Sequence, residues 1–283
     1  MATATISSFD SNDKLFEKGQ AFWNNYLKGR PSAPDIFFQR LFNYHQSHSG
    51  QFGTVHDVGA GNGPYAQILR SKFQHVIISD IAEENVVLAE DRLGHDGFSY
   101  RAARSLAMNV IAKQLRPGGT FACAAFGAAQ FDDPQIQGIY TRINHSGGRA
   151  LLKKADDPDK LLAVMARTQG KYNVAPLDES LFLPGAQRIH LNMENGGITA
   201  PLPPNVKVNE PVYTGVDDVE VFVQEEGWSF VTNLESVKEH VLSFPFARED
   251  PHFGELWQEM EEVIGDSTVR ASWPAKIILA TRR

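Results

Sequence analysis

"VHDVGAGNGPYAQIL", residues 55–69, sets Gly59, Gly61 and Gly63 within five positions directly after a short apolar run. The run reads as a strand and "GPYAQILRSKF" as the helix after it, so the glycines fall on the turn between them. A glycine turn there lets backbone come close to a ligand, because no Cβ stands in the way. The amides that open the helix can hold a carboxylate or phosphate. The spacing is G-x-G-x-G, not the G-x-G-x-x-G of dinucleotide binding. A second strand, "HVIISDI", brings Asp80 to its end, 21 positions after Gly59. A carboxylate at that place can accept both hydroxyls of an unmodified ribose. In this order the features point to a ligand that contains adenosine.

Working outward, the same alternation continues. "AEENVVLAEDRL" reads as a helix, "FSYRAA" as a third strand, "LAMNVIAKQL" as a helix and "GGTFACAAF" as a buried strand. Short apolar strands separated by helices of about ten residues imply βαβ units, hence an α/β, doubly wound parallel sheet. Ahead of the glycine turn, "DKLFEKGQAFWNNY" and "DIFFQRLFNYHQSH" read as amphipathic helices separated by the breaker "LKGRPSAP". Phe16, Trp23, Phe37, Phe38, Phe42 and Tyr44 are expected to be core aromatics. After Gly127 the alternation stops. Residues 128–186 look helical and loop-like, "QRIHLNM" reads as a strand, and "NGGITAPLPPNVKVNEPVYTG" as a surface excursion. "NLESVKEHVLSF" and "DPHFGELWQEMEEVIG" are amphipathic helices, and "PAKIILATRR" closes the chain as a strand.

Composition narrows the class. The chain has 283 residues, 42% hydrophobic, with a formal net charge of −7 and no dense basic block. Such a surface repels a phosphate backbone, so nucleic acid is not expected as a partner. No apolar stretch approaches the ~20 residues of a membrane helix, and "MATATISSFDSNDK" lacks the pattern of a secretory signal, so a cytoplasmic protein is expected. The single cysteine, Cys123, lies in an apolar strand and reads as a buried structural thiol. No H-x-x-x-H, C-x-x-C or clustered acidic motif suggests a metal. His145 and His190 are possible bases, although a lone histidine is more often structural.

"VHDVGAGNGPYAQIL", "IISDIAEENVVLAE" and "LRPGGTF" together resemble the class I S-adenosylmethionine-dependent methyltransferases. The resemblance implies a Rossmann-like fold in which D-x-G-x-G-x-G surrounds the methionine part of S-adenosyl-L-methionine. Asp57, Gly59, Ala60 and Gly61 take those places, Asp80 binds the ribose and Ile81 flanks the adenine. Charge agrees, since Asp57 suits a cofactor that is cationic near its sulfonium and α-amino group.

The flanks, "YLKGRPSAPDIFFQRLFNYHQ" and "FGELWQEMEEVIGDSTVRASWPAKIILATRR", are similar to trans-aconitate methyltransferase and its fungal small-molecule relatives. That narrower resemblance implies Tyr26 over the cofactor. It gives an N-terminal helical cap at 1–50, the cofactor core at 51–127, an inserted helical and loop cap at 128–215, and C-terminal helices with the final core strand at 216–283. It favours O-methylation of a carboxylate on a small metabolite, with secondary metabolism as the expected setting. Arg30, Arg142, His145 and Arg149 are candidates to orient the acid. No catalytic residue is assigned, because a carboxylate is already ionised at pH 7 and needs no base.

One part of the resemblance fails. Between Asp80 and Thr120 lie 39 residues, of which two helices and strand three consume 28. The family's strand four, with its two loops, does not fit in the remainder. Either a segment has been lost from the sequence, as by an altered splice, or the protein dispenses with its central strand. Two alternatives follow: a degenerate, non-catalytic protein of this fold, or an enzyme that keeps the cofactor but catalyses a non-methylating rearrangement.

Overall fold

The computed structural model describes residues 32–102, 108–169, 177–193, 202–203, 205–206, 214–244 and 250–283. In chain order the elements are α1 (Asp35–Ser47), β1 (Thr54–Val58), α2 (Ala66–Arg70), β2 (His75–Asp80), α3 (Glu83–Leu93), β3 (Phe98–Ala102), α4 (Met108–Gln114) and β4 (Thr120–Phe126). Then come β5 (Gln130–Phe131), α5 (Pro134–Lys154), α6 (Pro158–Gln169), β6 (Gln187–Leu191), β7 (Val219–Val223) and β8 (Ser229–Asn233). The chain ends with α7 (Leu234–Leu242), α8 (Phe253–Ile264), β9 (Thr268–Ser272) and β10 (Ala275–Thr281). Of the described residues, those within 51–114 form one compact unit, and those within 32–50 and 115–283 form another.

The first unit is a parallel sheet in the order β1-β2-β3, with Thr54 opposite His75 and Val76 opposite Phe98. Helices α2 and α3 connect consecutive parallel strands, as parallel pairing requires. Val76 and Ile78 of β2 are fully buried. Helix α3 stops at Gly94, whose φ of +68° takes the chain out of the helix where a branched residue would be strained.

The second unit holds a mixed sheet, β4-β10-β6-β7, and a small antiparallel sheet, β5-β9-β8. β10 runs antiparallel to both β4 and β6, and every one of its residues is buried. Helix α1 packs on this sheet through Phe37, which meets Phe126 and Trp228, and through Tyr44, whose hydroxyl lies 3.2 Å from Thr281 Oγ1. Phe37, Phe38 and Tyr44 are thus core aromatics. Helix α5 begins at Asp133, whose carboxylate accepts from the amides of Gln135 and Ile136 (2.8 and 3.1 Å), with Pro134 at the first turn. Its face of Ile136, Ile139, Tyr140 and Ile143 packs with Val237 and Val241 of α7 and with Trp257, Met260 and Ile264 of α8. The strands β5, β7, β8 and β9 were not expected from the sequence. The expected helix at residues 13–26 lies outside the described residues, and the excursion at 195–215 lies largely outside them.

Candidate cofactor site

The site is built where β1 and β2 end. Gly59, Gly61 and Gly63 all have positive φ, at +73°, +57° and +70°. These are left-handed conformations that glycine adopts without a Cβ penalty. The amides of Gly59 and Ala60 both donate to the Ser79 carbonyl (2.8 and 3.0 Å), which ties the turn to β2. A Cβ built on Gly59 meets nothing within 4 Å, so at Gly59 the turn faces open space that a ligand can enter.

Asp80 is buried and occupied. Its Oδ2 accepts from the Gly61 amide (2.8 Å), and its Oδ1 accepts from the Ala82 amide (2.9 Å) and from Asn85 Nδ2 (3.1 Å). One carboxylate therefore fixes the glycine turn and the start of α3 together. A carboxylate has about four acceptor positions, so capacity for a ribose hydroxyl remains. Ile81 is 38% exposed and offers an apolar surface beside it.

Asp57 behaves differently. The residue is half-buried as a whole, yet its Oδ2 is fully buried and has no hydrogen-bond partner. Burial, and next the charge of Asp80, push its carboxyl up to about 6. A buried carboxylate without a donor is costly, and a cation would remove that cost. Because the folded protein holds this proton more tightly than the unfolded chain, the stability is present at low pH. It is lost as pH rises from the ordinary carboxylate range through about 6. Asp57→Asn is therefore expected to stabilise the free protein at pH 7 by up to about 3 kcal/mol, a gain that vanishes near pH 4. Urea denaturation of the two proteins at both pH values checks this.

Residues that sequence reading passed over support the turn. Asn62 and Asn85 are buried, and Arg92 Nη2 donates to the Asn62 carbonyl (2.9 Å). His56 Nε2 lies 2.8 Å from Ser79 Oγ, and burial lowers the histidine below its ordinary range. Nothing in their spacing marks these residues.

Three of the four substrate candidates, Arg142, His145 and Arg149, lie on α5. Arg142 is exposed and makes a two-point ion pair with Glu259 (3.1 and 2.5 Å). His145 is half-buried and is lowered by burial and by Arg149, which is itself exposed. Tyr26 and Arg30 lie outside the described residues. His190, on β6, is buried: Lys276 Nζ lies 2.7 Å from its Nε2, and Glu220 Oε1 lies 2.9 Å from the same atom. One ring nitrogen cannot accept from Lys276 and donate to Glu220 at once, so Nε2 serves one of the two at a time. Cys123 is unoxidised and half-buried, with its thiol pushed up by burial. Among the described residues, no three His, Cys, Asp or Glu side chains gather as metal ligands, and no helix is long and apolar enough to cross a membrane.

No family model matches the chain. It is 78% identical to methyltransferase AacuQ of Aspergillus aculeatus over 309 aligned positions, covering 100% of each chain. It is 51% identical to a methyltransferase of Claviceps purpurea, covering 96% of this chain and 95% of that one. It is 48% identical to methyltransferase tpcM of Aspergillus fumigatus, covering 99% and 97%. Among solved structures, one assigned as a type II methyltransferase of Anaeromyxobacter dehalogenans matches with a TM-score of 0.55 at 15% identity, over 89% of this chain and 97% of that one. That likeness speaks for the Rossmann-like α/β fold. With such identity over whole chains, the protein belongs to a family of fungal methyltransferases.

Proposed function

We propose that the chain takes S-adenosyl-L-methionine as its cofactor and methylates a carboxylate oxygen of a small metabolite. The observation that carries the cofactor is the orphaned, buried Oδ2 of Asp57 behind an open glycine turn. Two carboxylates, Asp57 and Asp80, make this corner electronegative. It suits a ligand with an ammonium and a sulfonium, and repels the pyrophosphate of a dinucleotide. S-adenosyl-L-methionine supplies an electrophilic methyl group when bound. Asp57 would take the α-ammonium, the turn at Gly59–Gly61 the backbone contacts, Asp80 the ribose hydroxyls, and Ile81 the adenine.

The acceptor reading rests on the similarity of the flanks to trans-aconitate methyltransferase. A carboxylate is ionised at pH 7, so the protein's tasks are alignment and exclusion of water. Arg142 is already engaged by Glu259, which leaves Arg30, His145 and Arg149 as the candidates to orient the acid. The test is incubation of the enzyme with methyl-labelled cofactor and a panel of small aliphatic and aromatic acids and phenols. A product whose label is released by mild base, as from a methyl ester, is expected. A base-stable product would identify an ether and a phenol acceptor instead.

A second reading, a protein of this fold with little activity, is favoured by one observation. The alignment with the 78%-identical relative runs over 309 positions, whereas this chain has 283 residues.

A further inference from the structure

Strand β1 carries the ligand turn, which belongs on an inner strand, yet has the surroundings of an outer one. "TVHDV" pairs with β2, and among the described residues no ladder occupies its other edge. None of its five residues is buried: Thr54 is exposed and the rest are half-buried. Its neighbour β2 has Val76, Ile78, Ser79 and Asp80 buried. In a doubly wound sheet the strand that carries the ligand turn is normally covered on both faces and paired on both edges.

The chain cannot supply the missing neighbour from the adjoining sequence. β3 ends at Ala102 and α4 begins at Met108, which leaves residues 103–107 between them. A strand parallel to β1 must start at the opposite end of the sheet, a return of about 17 Å for a five-residue strand. Five residues fully extended span about that distance and no more. Nothing would then remain for the strand itself.

The relatives carry additional chain. An alignment of 309 positions that covers all 283 residues leaves 26 positions with no counterpart here. The alignment with tpcM also runs over 309 positions, and that with gedG of Aspergillus terreus over 312. A strand of about five or six residues with two connecting loops fits within such a length.

We infer that this chain lacks a segment of about this length between residues 102 and 108, and that the free edge of β1 is a docking site for it. The occupant is an extended, mostly apolar strand running parallel to β1, the stretch of the Aspergillus aculeatus relative that has no counterpart here. Unsatisfied strand edges take up such segments by main-chain hydrogen bonding, whether these come in the same chain or as a separate peptide. Pairing the second edge would also hold Asp57 and the turn after Val58 in one position. The effect on cofactor affinity rests on the reading proposed above; the docking itself does not.

The test uses that stretch in two forms: inserted between residues 102 and 108, and added as a peptide to the 283-residue chain, with a scrambled peptide as control. Hydrogen exchange of the Val55, His56, Asp57 and Val58 amides is read beside calorimetric titration with S-adenosylhomocysteine. Exchange at these amides is expected to slow about a hundredfold in the insertion variant, and measurably with the peptide but not its scramble. Affinity for S-adenosylhomocysteine is expected to rise at least about tenfold. Unchanged exchange at β1 with both forms overturns the inference, as does an alignment that places the unmatched positions elsewhere. Slowed exchange without a gain in affinity upholds the docking site and counts against the cofactor reading instead. An insertion variant that fails to fold leaves the peptide experiment to decide.

Discussion

Gly61→Val is expected to abolish binding of S-adenosylhomocysteine while the protein stays folded. Gly61 sits at φ +57°, where a β-branched residue is a genuine outlier, and its amide donates to Asp80 Oδ2. Valine would either strain the turn or swing it away from Asp80. In both cases the backbone surface offered to the ligand is lost. The β1–β2 ladder runs from Thr54 to Val58 and does not include Gly61, so the sheet should persist. Titration of the segment-restored chain should show affinity falling by more than about 100-fold, equivalent to ~2.7 kcal/mol. The circular dichroism spectrum should stay unchanged. Undiminished affinity would move the cofactor to another site.

Asp80→Ala should lower affinity and melting temperature together. Loss of a charged hydrogen-bond acceptor to the ribose costs about 1.5–3 kcal/mol in binding. The same substitution strips an acceptor from the buried amides of Gly61 and Ala82 and from Asn85, which is a stability cost in the free protein. Asp80→Asn keeps one acceptor and should cost less on both counts. It also removes the second cause of the raised Asp57 carboxyl, so the Asp57 titration should move down in that variant. If Asp80 serves only to start α3, the melting temperature falls and affinity is unaffected. The two measurements on the two variants separate these roles.

The parallel arrangement of β1, β2 and β3 was legible because short strand-like runs, that of β2 the most apolar, alternated with helical ones, and the glycine spacing located the turn. Four short strands escaped, of which Gln130–Phe131 is only two residues long. Val219–Val223, Ser229–Asn233 and Thr268–Ser272 are five residues each and mix polar or charged with apolar side chains, as half-covered strands do. Val231, 64% exposed on β8, shows how little apolar burial fixes such a strand. At the site, spacing identified Asp57 and Asp80 but not their different states. One carboxylate is satisfied by three donors and the other keeps an orphaned oxygen, a contrast set by where backbone amides point. Asn85 and Arg92, which brace the turn through α3, carry no signature because any helix can hold them. His190 looked like an ordinary histidine. Its burial beside Lys276 follows from the pairing of β6 with β10, which joins residues 86 apart.

The most direct test of the cofactor assignment is a titration of the isotopically labelled 283-residue chain with S-adenosylhomocysteine, followed through backbone amide resonances. The method registers weak binding and so needs no restored segment. Saturable shifts are predicted at Gly59, Ala60 and Gly61 and at Ile81, the residue after Asp80, and they should be lost in Gly61→Val. Shifts confined to other residues, or shifts at these amides with a nicotinamide dinucleotide and none with S-adenosylhomocysteine, would contradict the account.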